Sequence, residues 1–174
     1  MTGPTHRVLG AAVGLGVMAI HPLTVSLPPG LISDAGLHDA GTVLGAISLV
    51  VLGAFVARIP DWDLRVGLPH RGPSHSAIAV VASTVIAALL TIAIVPAAAV
   101  DVAAVTGASW LSHLVADSIN PTPQALLWPW PGRQRPDWLP AVRESSPPGR
   151  LVEAVVVLAI VGVVGWRFLE ALRS

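Results

Sequence analysis

The sequence predicts an all-α fold, a polytopic membrane helix bundle of about five transmembrane helices in a single domain over residues 1–174. Three observations carry this. The 174 residues are 53% hydrophobic and only 11% charged, where soluble domains carry roughly 25% charged residues. The mean hydropathy of the whole chain is +0.73. Apolar runs close to membrane length recur along the chain, separated by short polar stretches.

The polar start, residues 1–6, ends in Thr5-His6 and leads into an apolar run from Arg7 to about Leu27, broken near Pro22. No clear cleavage site follows, so this is read as a first span and not as a removable leader. Residues 28–40, with Asp34, His38 and Asp39, are expected to form a loop. A second span runs from about Gly41 to Ala57 and stops at Arg58-Ile59-Pro60. The stretch from Pro60 to Ser76 is the densest polar part of the chain. A third span, about His75 to Val95, ends at Pro96, and its Ala, Ser and Thr suit close helix packing in lipid. Asp101 is expected to cap a fourth helix, about Val102 to Ile119, closed by Asn120-Pro121. Residues 120–150 hold eight prolines and three tryptophans. Such a segment cannot span, and it reads as a loop at headgroup level, where Trp is enriched. A fifth span follows from about Leu151 to Phe168, with Glu153 near its start.

The zero formal net charge gives no global field that would attract nucleic acid. The absence of Cys excludes disulfides, thiolate metal sites and Cys nucleophiles. Polar chemistry is left to His, Asp, Glu, Ser, Thr and Arg, and six His in so apolar a chain is the compositional oddity.

Alternating spans bring these residues together. His6, Asp61, Asp63, His70, His75, His113, Asp117 and Glu153 all fall toward one face of the membrane, whereas His21, Asp34, His38, Asp39 and Asp101 fall toward the other. The first face carries eight Arg (positions 7, 58, 65, 71, 133, 135, 143 and 150) and the second two, Arg167 and Arg173. The positive-inside rule makes the first face cytoplasmic, in the inner or plasma membrane.

His113 and Asp117 are four residues apart and lie one above the other on a helix. Ionisable groups at membrane depth are costly and point to function. With His75 and one of Asp61 or Asp63 they make an N2O2 ligand set for a divalent metal, zinc first, with Mn2+ or Fe2+ compatible. His70 and His6 are further candidate ligands from the same face. Arg71 is placed to hold a phosphate, and Asp63 or Glu153 to act as general base.

The order of motifs resembles a known family. Thr5-His6, Pro60-Asp61-Trp62-Asp63, His70-Arg71-Gly72-Pro73-Ser74-His75-Ser76, Leu111-Ser112-His113-Leu114-Val115-Ala116-Asp117 and Leu126-Leu127-Trp128-Pro129 together look like the YdjM family of membrane-bound, metal-dependent hydrolases. That family is distantly similar to zinc-dependent phospholipases C and related nucleases. The resemblance implies a metal site at Asp61, His75 (or His70), His113 and Asp117. The functional expectation is a metal-dependent hydrolase of a phosphoester or lipid-like substrate, such as a phospholipid, at the cytoplasmic leaflet. The alternatives are a membrane protein that binds or carries the metal without catalysis, and one whose polar cluster only orders the helices.

Overall fold

The computed structural model describes residues 3–21, 23–24, 34–138 and the single positions 141, 147, 151, 154, 155 and 158. The expected fifth span, with Glu153, lies outside the described residues apart from those isolated positions. Among the described residues the chain is all-helical: α1 (Gly3–Ile20), α2 (Asp34–Val56), α3 (Ala77–Ile94) and α4 (Ala99–Ser118), with short 3-10 turns at Ile59–Leu64, Pro73–His75 and Pro96–Ala98. Two helical stretches, Ala77–Ile94 and Pro96–Ser118, are long and apolar enough to cross a membrane; the apolar parts of α1 and α2, Thr5–Ile20 and Gly41–Val56, are shorter.

Three boundaries differ from expectation: α1 ends at Ile20 and does not run to about Leu27, and two helix starts are earlier. α1 starts at Gly3, so His6 belongs to the helix and not to a polar lead-in. α2 starts at Asp34, so Asp34, His38 and Asp39 are helical instead of looped. A carboxylate is favoured in a helix's opening turn, so Asp34 suits a helix start as well as a loop.

α1 packs on α2 through glycine. A Cβ on Gly10 would run into the backbone carbonyl of Gly53, and one on Gly53 into the carbonyl of Gly10. Gly14 meets the backbone of Leu49 and Val50 in the same way. Without side chains at the crossing the two backbones touch, the close packing that drives helix association where lipid removes the hydrophobic force.

α3 starts at Ser76, whose hydroxyl accepts from the Ala79 N–H at 3.2 Å, an N-cap that satisfies one orphan donor. The helix stops at Val95, ahead of Pro96. No residue of α3 is buried. Its hydroxyls return to their own helix: Thr84 donates to the Val80 carbonyl and Thr91 to that of Ala87, each at 2.7 Å. The helix thereby leaves none of its hydroxyls unpaired.

α4 is the inner helix, touching α1, α2 and α3. Asp101 does not cap it: Ala98 holds the N-cap position, and Asp101 sits buried in the first turn. There its carboxylate meets His21 Nδ1, just past the end of α1, at 2.8 Å.

The segment after α4 folds back over the 70–76 turn. Gln124 and Gln134 pair through their backbones, as an isolated antiparallel bridge. The Ala125 N–H donates to the Arg71 carbonyl at 3.0 Å, and the Ala77 N–H to the Leu126 carbonyl at 2.9 Å. Leu127, Trp128, Trp130 and Trp138 remain exposed, which suits the interfacial loop expected from the sequence.

Candidate metal centre

Three separate elements deliver four side chains to one point. Asp61 comes from the turn Ile59–Leu64, where Pro60 helps set the 3-10 path. His75 ends the turn Pro73–His75. His113 and Asp117 come from the last two turns of α4. One donor atom from each of these four residues lies within 4.8 Å of all the others.

The separations suit one ion. His75 Nε2 is 3.1 Å from His113 Nε2, 3.6 Å from Asp61 Oδ1 and 3.5 Å from Asp117 Oδ2. His113 Nε2 is 3.5 Å from Asp61 Oδ1 and 3.9 Å from Asp117 Oδ2. Tetrahedral nitrogen and oxygen ligands at about 2.0–2.1 Å from zinc stand roughly 3.3–3.4 Å from one another. The observed spread brackets that value.

The tautomers point the same way. His113 Nδ1 is 2.7 Å from the Ala57 carbonyl oxygen. A carbonyl only accepts, so this nitrogen carries the proton and a neutral His113 presents a bare Nε2 to the centre. Ser74 Oγ donates to Asp63 Oδ2 at 3.0 Å and lies 3.0 Å from His75 Nδ1, which makes it the acceptor for a proton there. His75 Nε2 is then bare as well. Two nitrogen lone pairs facing each other at 3.1 Å repel unless a positive charge lies between them.

Three imidazoles are sealed in. His6, His75 and His113 have no exposed surface and Asp117 has almost none, while the Asp61 side chain is 29% exposed and forms the open side. Asp61, a carboxylate ionised at neutral pH, faces the two Nε2 atoms as an anionic donor.

The remaining sequence candidates fall around this core. His6 stacks on His113 with ring centroids 3.7 Å apart, and its Nε2 is 3.4 Å from Asp117 Oδ1. Neither His6 nitrogen has a hydrogen-bond partner, although both are buried. His6 stands against the four-residue set and is not one of its members. His70 is placed on the outer side of His75, with its Nδ1 3.1 Å from Asp63 Oδ1. With Asp63 and the other side of His75 it forms a second, more exposed group.

Asp63, expected as a general base, lies behind His75. It is buried and accepts from the Leu64 N–H at 2.6 Å, the Arg71 N–H at 3.2 Å and the Ser74 hydroxyl. A carboxylate so supplied with donors has its oxygens committed and acts as an orienting group. Arg71, expected to hold a phosphate, is committed within the fold. Its guanidinium donates to the Thr122 carbonyl at 2.6 Å and reaches Asp117 Oδ2 at 3.3 Å. Its φ of 58° is in the left-handed region, which costs a side-chain-bearing residue about 1–2 kcal/mol. Its backbone contacts to Asp63 and Ala125 hold it there.

Sequence reasoning missed several supports. Gln124 donates from inside the fold to the Leu114 carbonyl and to Ser118 Oγ, both at 2.9 Å, and so fastens the loop to the end of α4. Trp110 Nε1 donates to the Ser74 carbonyl at 2.9 Å, and Asn120 Nδ2 to Asp117 Oδ1 at 3.3 Å. The Trp110 spacing, one turn before His113, was a legible signal. The Ala57 carbonyl carries no sequence signal at all.

Fold and site together define a helical membrane protein with a buried His/Asp cluster able to hold a metal ion. The whole chain, over residues 1–172, matches the YdjM inner membrane protein family, and it belongs to that family. No curated protein and no solved structure matches it.

Proposed function

We propose that this protein is a metal-dependent hydrolase of the inner membrane, acting on a phosphoester of a lipid-like substrate at the cytoplasmic leaflet. The observation that carries the reading is the pair of bare Nε2 atoms of His75 and His113, 3.1 Å apart, closed in by Asp61 and Asp117. Zinc fits this nitrogen and oxygen set best, with manganese and iron compatible. Bound there, a divalent cation supplies the charge that makes water nucleophilic near neutral pH.

The chain's own residues do the rest. Ala57 and the Ser74–Asp63 relay fix the two imidazoles in the ligating tautomer. Arg71 balances Asp117, so the two carboxylates do not add their full repulsion. Asp61, partly exposed, marks the side from which water and substrate arrive. In this reading about five helices cross the membrane with the N-terminus inside, and Trp128 and Trp130 keep the loop at headgroup depth.

Elemental analysis of the purified protein tests the assignment. About one metal ion per chain, lost on His113→Ala, together with release of product from a phosphodiester or phospholipid, is the expected result. Metal bound without any hydrolysis, but taken up into liposomes, would transfer the reading to a carrier. Wild-type protein that is stable and binds no metal would remove it.

A further inference from the structure

The turn that carries Asp61 has two faces. On the inner one Pro60 and Asp63 are buried. On the outer one Trp62 is exposed, and Leu64, Val66 and Leu68, at alternate positions after it, are each at least half exposed. Arg58 holds the N-cap position of this turn and Arg65 its C-cap position. Among the described residues neither guanidinium has an acidic partner; that of Arg65 lies 5.9 Å from the centre of the Trp62 ring, within cation–π range. Large apolar side chains flanked by Trp and Arg are the composition of a segment at headgroup depth, with apolar surface in the bilayer and cations at its edge.

The apolar surface continues along α2. Val43, Ile47, Val51 and Phe55 recur at every fourth residue, so they stand one above another, and each is more than half exposed. The Phe55 ring meets Trp62 edge-on, with centroids 5.5 Å apart. From Val43 to Phe55 the row rises about 18 Å, the depth of one leaflet in a hydrocarbon core of about 30 Å. A continuous track thus runs from the bilayer through Phe55 and Trp62 to Asp61, which precedes Trp62 in the chain and is the partly exposed member of the centre. The other three members are sealed, and the segment after α4 is fastened over the 70–76 turn.

We infer that this track is a binding site for a membrane phospholipid, which reaches the centre laterally from the bilayer. Arg65, with Arg58 at the other end of the turn, holds the phosphate; Trp62 packs on the lipid just below it; the α2 row carries an acyl chain. The site belongs to the proposed hydrolase and rests on that reading for its reaction, while its binding is measured without turnover. Arg71 is held by the Thr122 carbonyl and Asp117, so the phosphate anchor falls to these arginines, whose fork matches phosphate oxygens. The chemistry selects a phospholipid over its parts. A free phosphate has no use for the apolar row, and an uncharged lipid leaves two cations unanswered. α3 is the internal contrast: it is as open to lipid along its whole length and contains no charged residue, so it offers a chain contact and no headgroup contact.

The test uses the full chain in dodecyl maltoside micelles, which contain no phosphate. Two probes are compared, phosphatidylglycerol and diacylglycerol, each with the same photoactivatable group on its acyl chain, and labelled peptides are located by mass spectrometry. The phosphatidylglycerol probe should label residues 43–65 at least about tenfold more than the diacylglycerol probe, the effect of a charge-assisted hydrogen bond, while both label α3 alike. Unlabelled phosphatidylglycerol should compete, and inorganic phosphate should not. Arg65→Gln, a change at an exposed position, should lower the labelling of 43–65 about tenfold, and Arg58→Gln should lower it as well. Equal labelling of 43–65 by the two probes, full competition by inorganic phosphate, or wild-type labelling in both variants would overturn the site. Metal content and hydrolysis of a soluble phosphodiester are read in the same protein. Labelling lost with hydrolysis intact sinks the lipid site alone, and hydrolysis absent with labelling intact sinks the hydrolase reading alone.

Discussion

α3 and α4 are consecutive in the chain, of similar length, and both apolar enough to cross a membrane. They nevertheless have opposite fates. α3, the more hydrophobic, buries none of its residues, whereas α4 buries ten, including Asp101, Thr106, Ser109, His113, Asp117 and Ser118. In water the ranking would be reversed, since burial follows apolar area. In lipid an apolar side chain gains little by leaving the solvent, and a polar one gains much by finding protein. The interior of this protein is accordingly organised by its least hydrophobic helix, and the candidate metal centre is where that helix ends.

The comparison can be broken or sharpened by substitution. The largest effect is expected at His113. His113→Ala removes a ligand from α4 and should lower metal affinity by more than about a hundredfold, beyond the range seen for outer-shell partners, as read by metal content after dialysis. Asp63→Asn removes no member of the four-residue set but disturbs the contact of Asp63 Oδ2 with His75 Nδ1 at 3.4 Å. It should cost about 10–100-fold in metal affinity, with the helical circular dichroism unchanged. Gly53→Ala places a methyl against the backbone of Gly10 and beside Ser109, and should destabilise the α1–α2 crossing by about 1–3 kcal/mol, the usual effect of overpacking. A thermal unfolding series in detergent would detect it. The smallest and most direct comparison is a matched pair. Val105→Ala on α4, at a site with no exposure, should cost on the order of 1–2 kcal/mol. Val85→Ala on α3, 49% exposed, should stay within about 0.5 kcal/mol. Equal effects at the two sites would remove the distinction between the helices.

Much of the site was legible in the residues themselves. His113 and Asp117 sit at helical spacing, and alternation of spans placed them at the same end as Asp61 and His75. Chain direction and helix length put those four at one end of the bundle, and the fold brings their donor atoms within 4.8 Å of one another. Asp63 and Arg71 were expected as a general base and a phosphate anchor, and in the structure both are engaged by partners within the fold. Their types, a carboxylate and a guanidinium, suit catalysis as well as support, and only their partners separate the two: Ser74, the backbone N–H groups and the Thr122 carbonyl. The start of α2 was misplaced because Asp34 and Asp39 read as loop residues, although an acidic group such as Asp34 also suits a helix's opening turn. Asp101 was expected to cap the fourth helix, and His21 was placed only on the face away from the centre. Their pairing spans 80 positions, and no local pattern encodes a contact at that distance.

The sequence by itself determined that the chain is helical and apolar, that its chemistry rests on His and Asp, and which end of the helices collects them. These follow from composition and period, which are local or additive. Only the tertiary structure decided which nitrogen of each imidazole faces inward, which carboxylate ligates and which supports, and that α4 and not α3 is central. Those outcomes depend on single hydrogen bonds, such as His113 to the Ala57 carbonyl, and a hydrogen bond between distant residues exists only once the backbone has brought its two ends together.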